Sequence, residues 1–231
     1  MNDITIQSYF GRIARYYETV NRIMSFGAVL LWRRKLIKQI KAVCREGVIE
    51  KIVDLACGTG ELTFLLKKAY PSTEVIGIDF CPEMLKIAKN KANKQLSIKF
   101  LEGNAESLPL PDQSTDIVTI SFGFRNFQNQ TQALKEIHRI LKPNGHLFIL
   151  EFSQPLKCLR PIYFWYLKSI APNILGQLLG LKAPYKHLGD SVFAFYPPEA
   201  LTQKIEQHSF KLRHLQSATL SIVSFHYFRK M

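Results

Sequence analysis

Between residues 51 and 153, short apolar runs alternate with longer segments of helical periodicity, and this alternation restricts the fold more than any other feature of the chain. The segment after the first run shows the helical pattern, with Leu62, Leu65, Leu66 and Ala69 at i, i+3, i+4 and i+7. Strands separated by helices of about 10–15 residues predict βαβ units, and therefore a parallel sheet covered by helices on both faces. The predicted strands are 51–56, 74–79, 98–101, 116–121 and 146–151, and the predicted helices are 61–70, 83–94 and 131–141, the last ending at the turn 142–145.

The chain continues on both sides of this core with different patterns. An N-terminal segment predicts a helical arm. After the core, a segment rich in apolar and aromatic residues breaks the strand–helix rhythm, which indicates an insertion, because linkers are polar. A helix over 198–208 then precedes two β-rich runs, 211–220 and 221–227, which suit an antiparallel hairpin at the sheet edge. We therefore predict one domain whose successive parts are 1–50, 51–153, 154–190 and 191–231.

The excess of positive charge lies in the flanks of the chain. Its 231 residues include 31 Lys and Arg against 18 Asp and Glu, a formal charge of +13. Residues 1–50 contribute +5 and residues 154–231 contribute +7, whereas the core contributes only +1. A nearly neutral core argues against a nucleic-acid groove there. Residues 152–189 contain no acid, and their basic residues are Lys157, Arg160, Lys168, Lys182 and Lys186.

The spacing of the cysteines and the length of the apolar runs indicate the environment in which the protein works. Cys44, Cys57, Cys81 and Cys158 form no CxxC pair, and no two histidines stand in a metal-binding spacing. We therefore expect no metal site and a reducing, cytoplasmic environment. No apolar stretch reaches the roughly 18–20 residues of a membrane-spanning helix, so we expect a soluble or peripheral protein.

A glycine-rich loop follows the first predicted strand. In a doubly wound sheet, ligands bind beyond the carboxyl ends of the strands, where the strand order reverses. Here that loop contains Gly58, Thr59 and Gly60, with Asp54 four residues before the first glycine. A dinucleotide fingerprint needs a third glycine, but Thr63 occupies that position. The loop therefore argues against an NAD-binding oxidoreductase.

Two further strand ends supply polar groups for a nucleoside. Asp79 ends the second strand, where a carboxylate can accept hydrogen bonds from both ribose hydroxyls. Asn104 and Ala105 follow the third strand, where an amide side chain and a backbone N–H can bind an adenine edge. A nucleoside without phosphates fits these positions together with the glycine loop.

This constellation resembles the class I S-adenosylmethionine-dependent methyltransferases. Longer stretches narrow the resemblance to the quinone C-methyltransferases, which act on demethylmenaquinol and on polyprenyl benzoquinols. The match spans nearly the whole chain. It rests on 16–21, 24–27 and 32–33 in the arm, 108–116, 120–127, 140–145 and 149–155 in the core, and 191–197 and 221–226 near the C-terminus. The sequence departs from the family's usual pattern at Glu18, at Asn144 and over 220–225, which are substrate-side or edge regions.

The resemblance implies a Rossmann-like α/β fold, with a mostly parallel seven-stranded sheet and an antiparallel C-terminal hairpin strand. It makes 51–153 the core that binds S-adenosylmethionine and 154–190 an insertion on the substrate side. The acceptor is then a lipid-soluble polyprenyl quinol, either demethylmenaquinol or, as the alternative, the benzoquinol of ubiquinone biosynthesis. The implied cofactor-binding residues are Asp54, Gly58, Thr59, Gly60, Asp79, Asn104, Ala105 and Ser121.

Arg125 and Asn126, directly after the fourth strand, are the first candidates for catalysis. Arg125 can stabilise a developing phenolate, and Asn126 can position the ring; the alternative is that Arg125 only braces its loop against Glu151 or Asp54. His226 is the candidate base, with His187 as a second candidate. Tyr17 can close the arm over the cofactor.

Two other functions and one further contact of the chain have to be considered. An RNA methyltransferase is disfavoured because residues 121–124 lack the Pro-Pro-aromatic motif of enzymes that modify amino groups of bases. A non-catalytic scaffold is disfavoured by the intact glycine loop and Asp79. The basic, aromatic segment 152–189 predicts peripheral contact with anionic lipid, with Tyr163, Phe164 and Trp165 at the interface or the isoprenoid tail; the alternative is a solvated basic face over a hydrophobic lid.

Overall fold

A mixed sheet of seven strands forms the centre of the protein, in the order β3-β2-β1-β4-β5-β7-β6. The computed structural model describes residues 3–44, 48–92, 97–170, 173 and 182–231. The first five strands in the chain are parallel to one another, and β7 is antiparallel to both β5 and β6. The strands are β1 Lys51–Leu55, β2 Glu74–Asp79, β3 Ile98–Glu102, β4 Thr115–Ser121, β5 Leu141–Phe152, β6 Phe210–Ala218 and β7 Val223–Lys230. The predicted fold class is confirmed.

Helices cover both faces of this sheet. In chain order they are α1 Asp3–Ile13, α2 Tyr17–Met24, α3 Ala28–Val43, α4 Glu61–Ala69, α5 Pro82–Lys91, α6 Gln130–Ile140, α7 Arg160–Trp165, α8 Lys182–Ala194 and α9 Pro198–Glu206. A 3₁₀ turn, Phe124–Asn126, follows β4, and a π-helical turn, Tyr166–Ile170, continues α7. None of the described helices combines the length and the apolar content that a membrane crossing requires.

The central strands are apolar on both faces because each face packs against helices. Val53 and Leu55 belong to the core that also contains residues of α6 and α9. Ile52, which points the other way, belongs to the core that contains Leu36 of α3 and Leu66 of α4. Burial on both faces is the physical reason for the continuous apolar runs in the sequence.

The structure differs from the sequence prediction around the fifth strand. The predicted turn over 142–145 lies within the bounds of β5, because Leu141 already pairs with Thr115 of β4. The register then shifts, and regular pairing resumes between Ile117 and His146. A bulge therefore takes the place of a simple loop. The helix α8 crosses the predicted boundary at residue 190, and residues 171–172 and 174–181 of the insertion lie outside the described part of the chain.

The predicted arm contains α1, α2 and α3, which serve two different surfaces. Trp32 and Leu36 of α3 pack on the sheet, and the Trp32 indole N–H donates to Thr219 Oγ1 at 2.8 Å. Ile13 and Val20 of α1 and α2 pack against Met84 of α5. The first two helices therefore lie over the carboxyl ends of the strands.

Candidate functional site

The carboxyl ends of β2, β1 and β4 meet at one edge of the sheet, where the strand order reverses. The chain moves outward from β1 to β3 and then returns to the other side of β1 with β4. Such a reversal leaves a crevice in which α/β proteins bind ligands. A cavity of about 60 Å³ lies there, and its lining includes Gly58, Asp79, Asn104, Ala105, Ser121, Phe122 and Asn126.

Two glycines allow the loops at this edge to approach each other. Gly60 begins α4 with φ +84°, and a Cβ there would lie 2.9 Å from Phe64 and 3.1 Å from Phe100. A Cβ on Gly123, after β4, would lie only 2.4 Å from the Cβ of Ala56, after β1. A larger residue at Gly123 would force the loops after β1 and β4 apart, and one at Gly60 would displace the rings of Phe64 and Phe100.

Asp79 connects the glycine loop to the end of β2. One carboxylate oxygen accepts the Gly58 N–H at 2.7 Å, and the other accepts the Cys81 N–H at 2.9 Å. Burial raises the pKa of Asp79 to about 6, and the backbone hydrogen bonds oppose that rise. Asp79 also lines the cavity, so its carboxylate can organise the loop and accept a ligand hydroxyl at once.

Asp54, by contrast, is a buried brace behind the cavity. Its carboxylate accepts hydrogen bonds from Thr63 Oγ1 at 2.6 Å and from Thr119 Oγ1 at 2.8 Å. Burial raises its pKa to about 6, against the lowering effect of both threonines. Asp54 is not among the residues that line the cavity, and its contacts are those of a residue that braces the glycine loop, so its direct contact with the cofactor stays a prediction.

The outer side of the glycine loop is covered by α2. Thr59 Oγ1 donates to the carboxylate of Glu18, and neither Thr59 nor Gly60 lines the cavity. Five of the eight predicted cofactor residues thus line it, namely Gly58, Asp79, Asn104, Ala105 and Ser121. Contacts of Thr59 and Gly60 with a cofactor stay predictions.

The chemistry of this lining fits the nucleoside part of S-adenosylmethionine. The Ser121 Oγ is buried and has no hydrogen-bond partner within the described residues, so a polar ligand group can satisfy it. Asn104 Oδ1 accepts the Glu106 N–H at 2.9 Å, which shapes the loop after β3. No lysine or arginine is among the described residues of this lining, in keeping with a ligand that has no phosphate.

A second, larger cavity of about 220 Å³ adjoins the first one. Phe10, Tyr17, Phe122 and Asn126 line both cavities, so the two spaces meet at these side chains. Apolar and aromatic residues of the arm, of α7 and of α8 form most of its wall, and its polar groups include Arg125 and His187. An apolar ring can therefore lie next to a nucleoside-bound methyl donor.

Arg125 lines the second cavity but is tightly engaged. Its Nη1 donates to Glu151 Oε1 at 2.8 Å and to the Phe122 carbonyl at 2.5 Å, and its guanidinium lies 5.1 Å from the centre of the Phe152 ring. Both members of the Arg125–Glu151 ion pair are buried. These contacts are those expected if Arg125 braces its loop against Glu151. A catalytic role for Arg125 stays a prediction.

The structure separates the two candidate bases. His226, on β7, is only 1% exposed, and its ring nitrogens lie 3.2 Å from Oγ1 of Thr202 on α9 and 2.9 Å from Oγ of Ser224 on β7. It lines neither cavity, so the prediction of His226 as a base that contacts the acceptor is wrong. His187 lines the second cavity, with Nε2 3.4 Å from Asn126 Oδ1.

Several lining residues were missed by sequence reasoning. Phe10 comes from α1, and Phe127 and Gln128 follow the 3₁₀ turn after β4. Phe122 has φ +63°, a left-handed conformation that is unusual for an aromatic residue. The position of Phe122 directly after a strand could have indicated a residue of the site, but an aromatic residue at such a position usually belongs to the hydrophobic core.

Comparisons with known proteins agree with this geometry. A model of the ubiE/COQ5 methyltransferase family matches residues 1–230. The demethylmenaquinone methyltransferase of Thermus thermophilus is 41% identical over 219 residues, which cover 94% of this chain and 97% of that protein. The Staphylococcus aureus protein of the same name is 37% identical over 228 residues, covering 97% of this chain and 92% of its own length.

A solved structure from Thermotoga maritima, described as a SAM-dependent methyltransferase and possible histamine N-methyltransferase, superimposes with a TM-score of 0.65. The two chains are 19% identical, and the match covers 97% of this chain and 99% of the other. At that identity the likeness shows the fold alone, which is that of Rossmann-like methyltransferases.

Proposed function

Because this chain belongs to the ubiE/COQ5 methyltransferase family, we propose that it methylates a ring carbon of demethylmenaquinol in menaquinone biosynthesis. S-adenosylmethionine is its cofactor and supplies the methyl group when bound. The observation that carries the proposal is the junction of the two cavities. Phe10, Tyr17, Phe122 and Asn126 bring a nucleoside site and an apolar site into contact.

The residues of the first cavity hold the nucleoside. The Asp79 carboxylate accepts the ribose hydroxyls, the loop of Asn104 and Ala105 holds the adenine edge, and Ser121 Oγ gains the partner that it lacks. Methyl transfer removes the positive charge of the sulfonium, so a strongly anionic wall at the reacting centre would oppose the reaction. Asn126 and the aromatic residues that line both cavities are neutral, as this argument requires.

The acceptor ring must become more nucleophilic before a carbon can attack. A quinol hydroxyl has a pKa of about 10, like a tyrosine phenol, and its phenolate pushes electron density to the neighbouring carbon. His187 is the group that we propose accepts that proton, because it lines the second cavity. Burial, with the positive charge of Arg125, lowers its pKa, so the ring is neutral before the transfer. Positioned proton transfer of this kind contributes about 10²–10⁴-fold.

We place the reaction at the cytoplasmic face of the membrane, since an isoprenoid quinol is lipid-soluble. A benzoquinol acceptor is not favoured, because both relatives described above are named for demethylmenaquinone. An RNA acceptor is not favoured either, since the second cavity is largely apolar.

The test is methyl transfer from deuterated S-adenosylmethionine to short-tailed demethylmenaquinol, kept reduced, with the product identified by mass spectrometry. We expect the label on a ring carbon. Asn126→Ala should lower kcat/KM by about 10²-fold, because the ring loses a group that orients it.

Asn90→Ala, an exposed position on α5, is the matched control and should leave the rate unchanged. Label on an oxygen of the quinol would contradict the proposal, and so would label that appears only when a benzoquinol or RNA replaces demethylmenaquinol.

A further inference from the structure

Large apolar side chains project into solvent around the second cavity. Phe26, in the turn between α2 and α3, is 90% exposed and also lines the cavity. On α7, Ile162 and Trp165 are 66% and 61% exposed, and Leu220, in the turn before β7, is 59% exposed. Side chains of this size are rarely left in water without a partner when they gather at one opening.

The three segments that carry these side chains are in contact with one another. The Tyr166 hydroxyl donates to the Met24 carbonyl at 3.3 Å, which joins the end of α7 to the end of α2. The Leu156 N–H donates to the Leu220 carbonyl at 3.1 Å, which joins the segment before α7 to the turn before β7. The exposed side chains therefore form one rim, which we define as Phe26, Ile162, Trp165 and Leu220.

Alternation along α7 separates the rim from the cavity wall. Tyr163 and Tyr166 line the cavity, whereas Ile162 and Trp165, one helical turn apart, face solvent. The three aromatic residues that were predicted at the interface or the isoprenoid tail therefore have different surroundings. Tyr163 lines the cavity, Phe164 packs edge-on against Phe193, and Trp165 faces solvent.

The charge next to the rim is mostly positive. Lys157 and Lys168 are exposed, and Arg160 is half-buried at the start of α7. Asp190 is the acid that approaches this group, at 3.9 Å from the Lys168 ammonium. The side chain of Lys182 lies outside the described part of the chain. Two copies that met through this rim would bring like charges together, whereas an anionic lipid surface would complement them.

We infer that this rim docks on an anionic phospholipid leaflet, with Ile162, Trp165 and Leu220 inserted among the lipids and the lysines at the headgroups. The opening of the acceptor cavity then faces the phase that holds a lipid-soluble quinol, a consequence that rests on the proposed function. Docking itself requires neither cofactor nor acceptor.

The experiment measures co-sedimentation of the full chain with phosphatidylglycerol-containing vesicles and with pure phosphatidylcholine vesicles. We expect binding to the anionic vesicles that weakens with salt. Replacing Ile162, Trp165 and Leu220 together by serine should weaken it at least 10-fold, and Lys157→Gln with Lys168→Gln should reduce only the preference for anionic lipid.

Val48→Ser is the matched control, since Val48 is 84% exposed before the amino end of β1, at the opposite edge of the sheet. It should bind vesicles as the unaltered protein does. The triple serine variant should still methylate a short-tailed, water-dispersible acceptor, so loss of docking and failure of the proposed function give different results. Unchanged vesicle binding by that variant, no binding by the unaltered protein, or self-association abolished by the variant would overturn the inference.

Discussion

Asp79 is a buried carboxylate that organises a loop and also lines a cavity. It accepts hydrogen bonds from the Gly58 and Cys81 amides, and it lines the first cavity, where we propose that the nucleoside binds. Because burial raises its pKa to about 6, against about 3.9 in an unfolded chain, the folded protein binds this proton more tightly. Asp79 therefore contributes stability that is fully present below about pH 3.9 and is lost as the pH rises through 6. Asp54, with the same raised pKa, acts in the same direction.

Cofactor binding should have the opposite pH dependence. Ribose hydroxyls donate hydrogen bonds to the ionised carboxylate. We therefore expect the Kd for S-adenosylmethionine, measured by calorimetry, to be about 10-fold higher at pH 5 than at pH 7. Asp79→Asn should weaken binding at pH 7 by about 10–100-fold, the size expected for hydrogen bonds to a charged group, and should flatten the pH dependence.

Asp112→Asn is the matched control, since Asp112 is an exposed carboxylate that pairs with Arg139. The Asp112→Asn protein should bind S-adenosylmethionine with the unaltered affinity and with the unaltered pH dependence. An Asp79→Asn protein with the unaltered affinity would remove Asp79 from the ribose role.

At the scale of elements, α2 is held on the glycine loop by a group of charged and polar side chains. Glu18 of α2 accepts from Thr59 and pairs with Lys91 of α5, and Arg22 of α2 lies 3.4 Å from Glu61 of α4. Burial alone would raise the pKa of Glu18, but the hydrogen bonds from Lys91 and Thr59 together lower it. The arm thus covers the first cavity, whose volume of about 60 Å³ is small for a complete nucleoside, so we expect α2 to move when the cofactor enters.

Removing the Glu18 contacts should loosen the arm. We expect Glu18→Gln to increase tryptic cleavage at Arg12, Arg15 and Arg22 about 5-fold, which corresponds to ~1 kcal/mol for a partly exposed ion pair. Time-resolved proteolysis with mass spectrometry measures this. The control variant Glu199→Gln, at an exposed position on α9, should be cleaved by trypsin at the unaltered rate. Equal rates for both variants would show that Glu18 does not hold the arm.

At the scale of the whole molecule, the first cavity draws its walls from both the sheet and the arm. Strand ends supply Asp79 and Ser121, and α1 and α2 supply Phe10 and Tyr17. A ligand that bridges these parts stabilises the folded state as a unit, since it binds only where they are assembled.

S-adenosylmethionine at 100 times its Kd should therefore raise the free energy of unfolding by about 2.7 kcal/mol. For a chain of this size that corresponds to an increase in Tm of about 5–10 °C, measured by calorimetry. ATP at the same concentration should have no such effect, because no described cation lines the cavity to neutralise its phosphates. Equal shifts with both ligands would contradict the assignment of the site.

The periodicity of the sequence determined the architecture of this protein, because strands buried on both faces must be apolar and the helices between them must be amphipathic. Strand ends were therefore predictable, and with them the positions of Gly58, Asp79, Asn104 and Ser121. What only the tertiary structure decided was which side chains meet across large sequence distances. Packing buried His226 against α9 and brought His187 beside Asn126, and it paired Asp54 with Thr63 and Thr119. A one-dimensional pattern records spacing along the chain, whereas burial and pairing depend on where the arm and the insertion fold back onto the sheet.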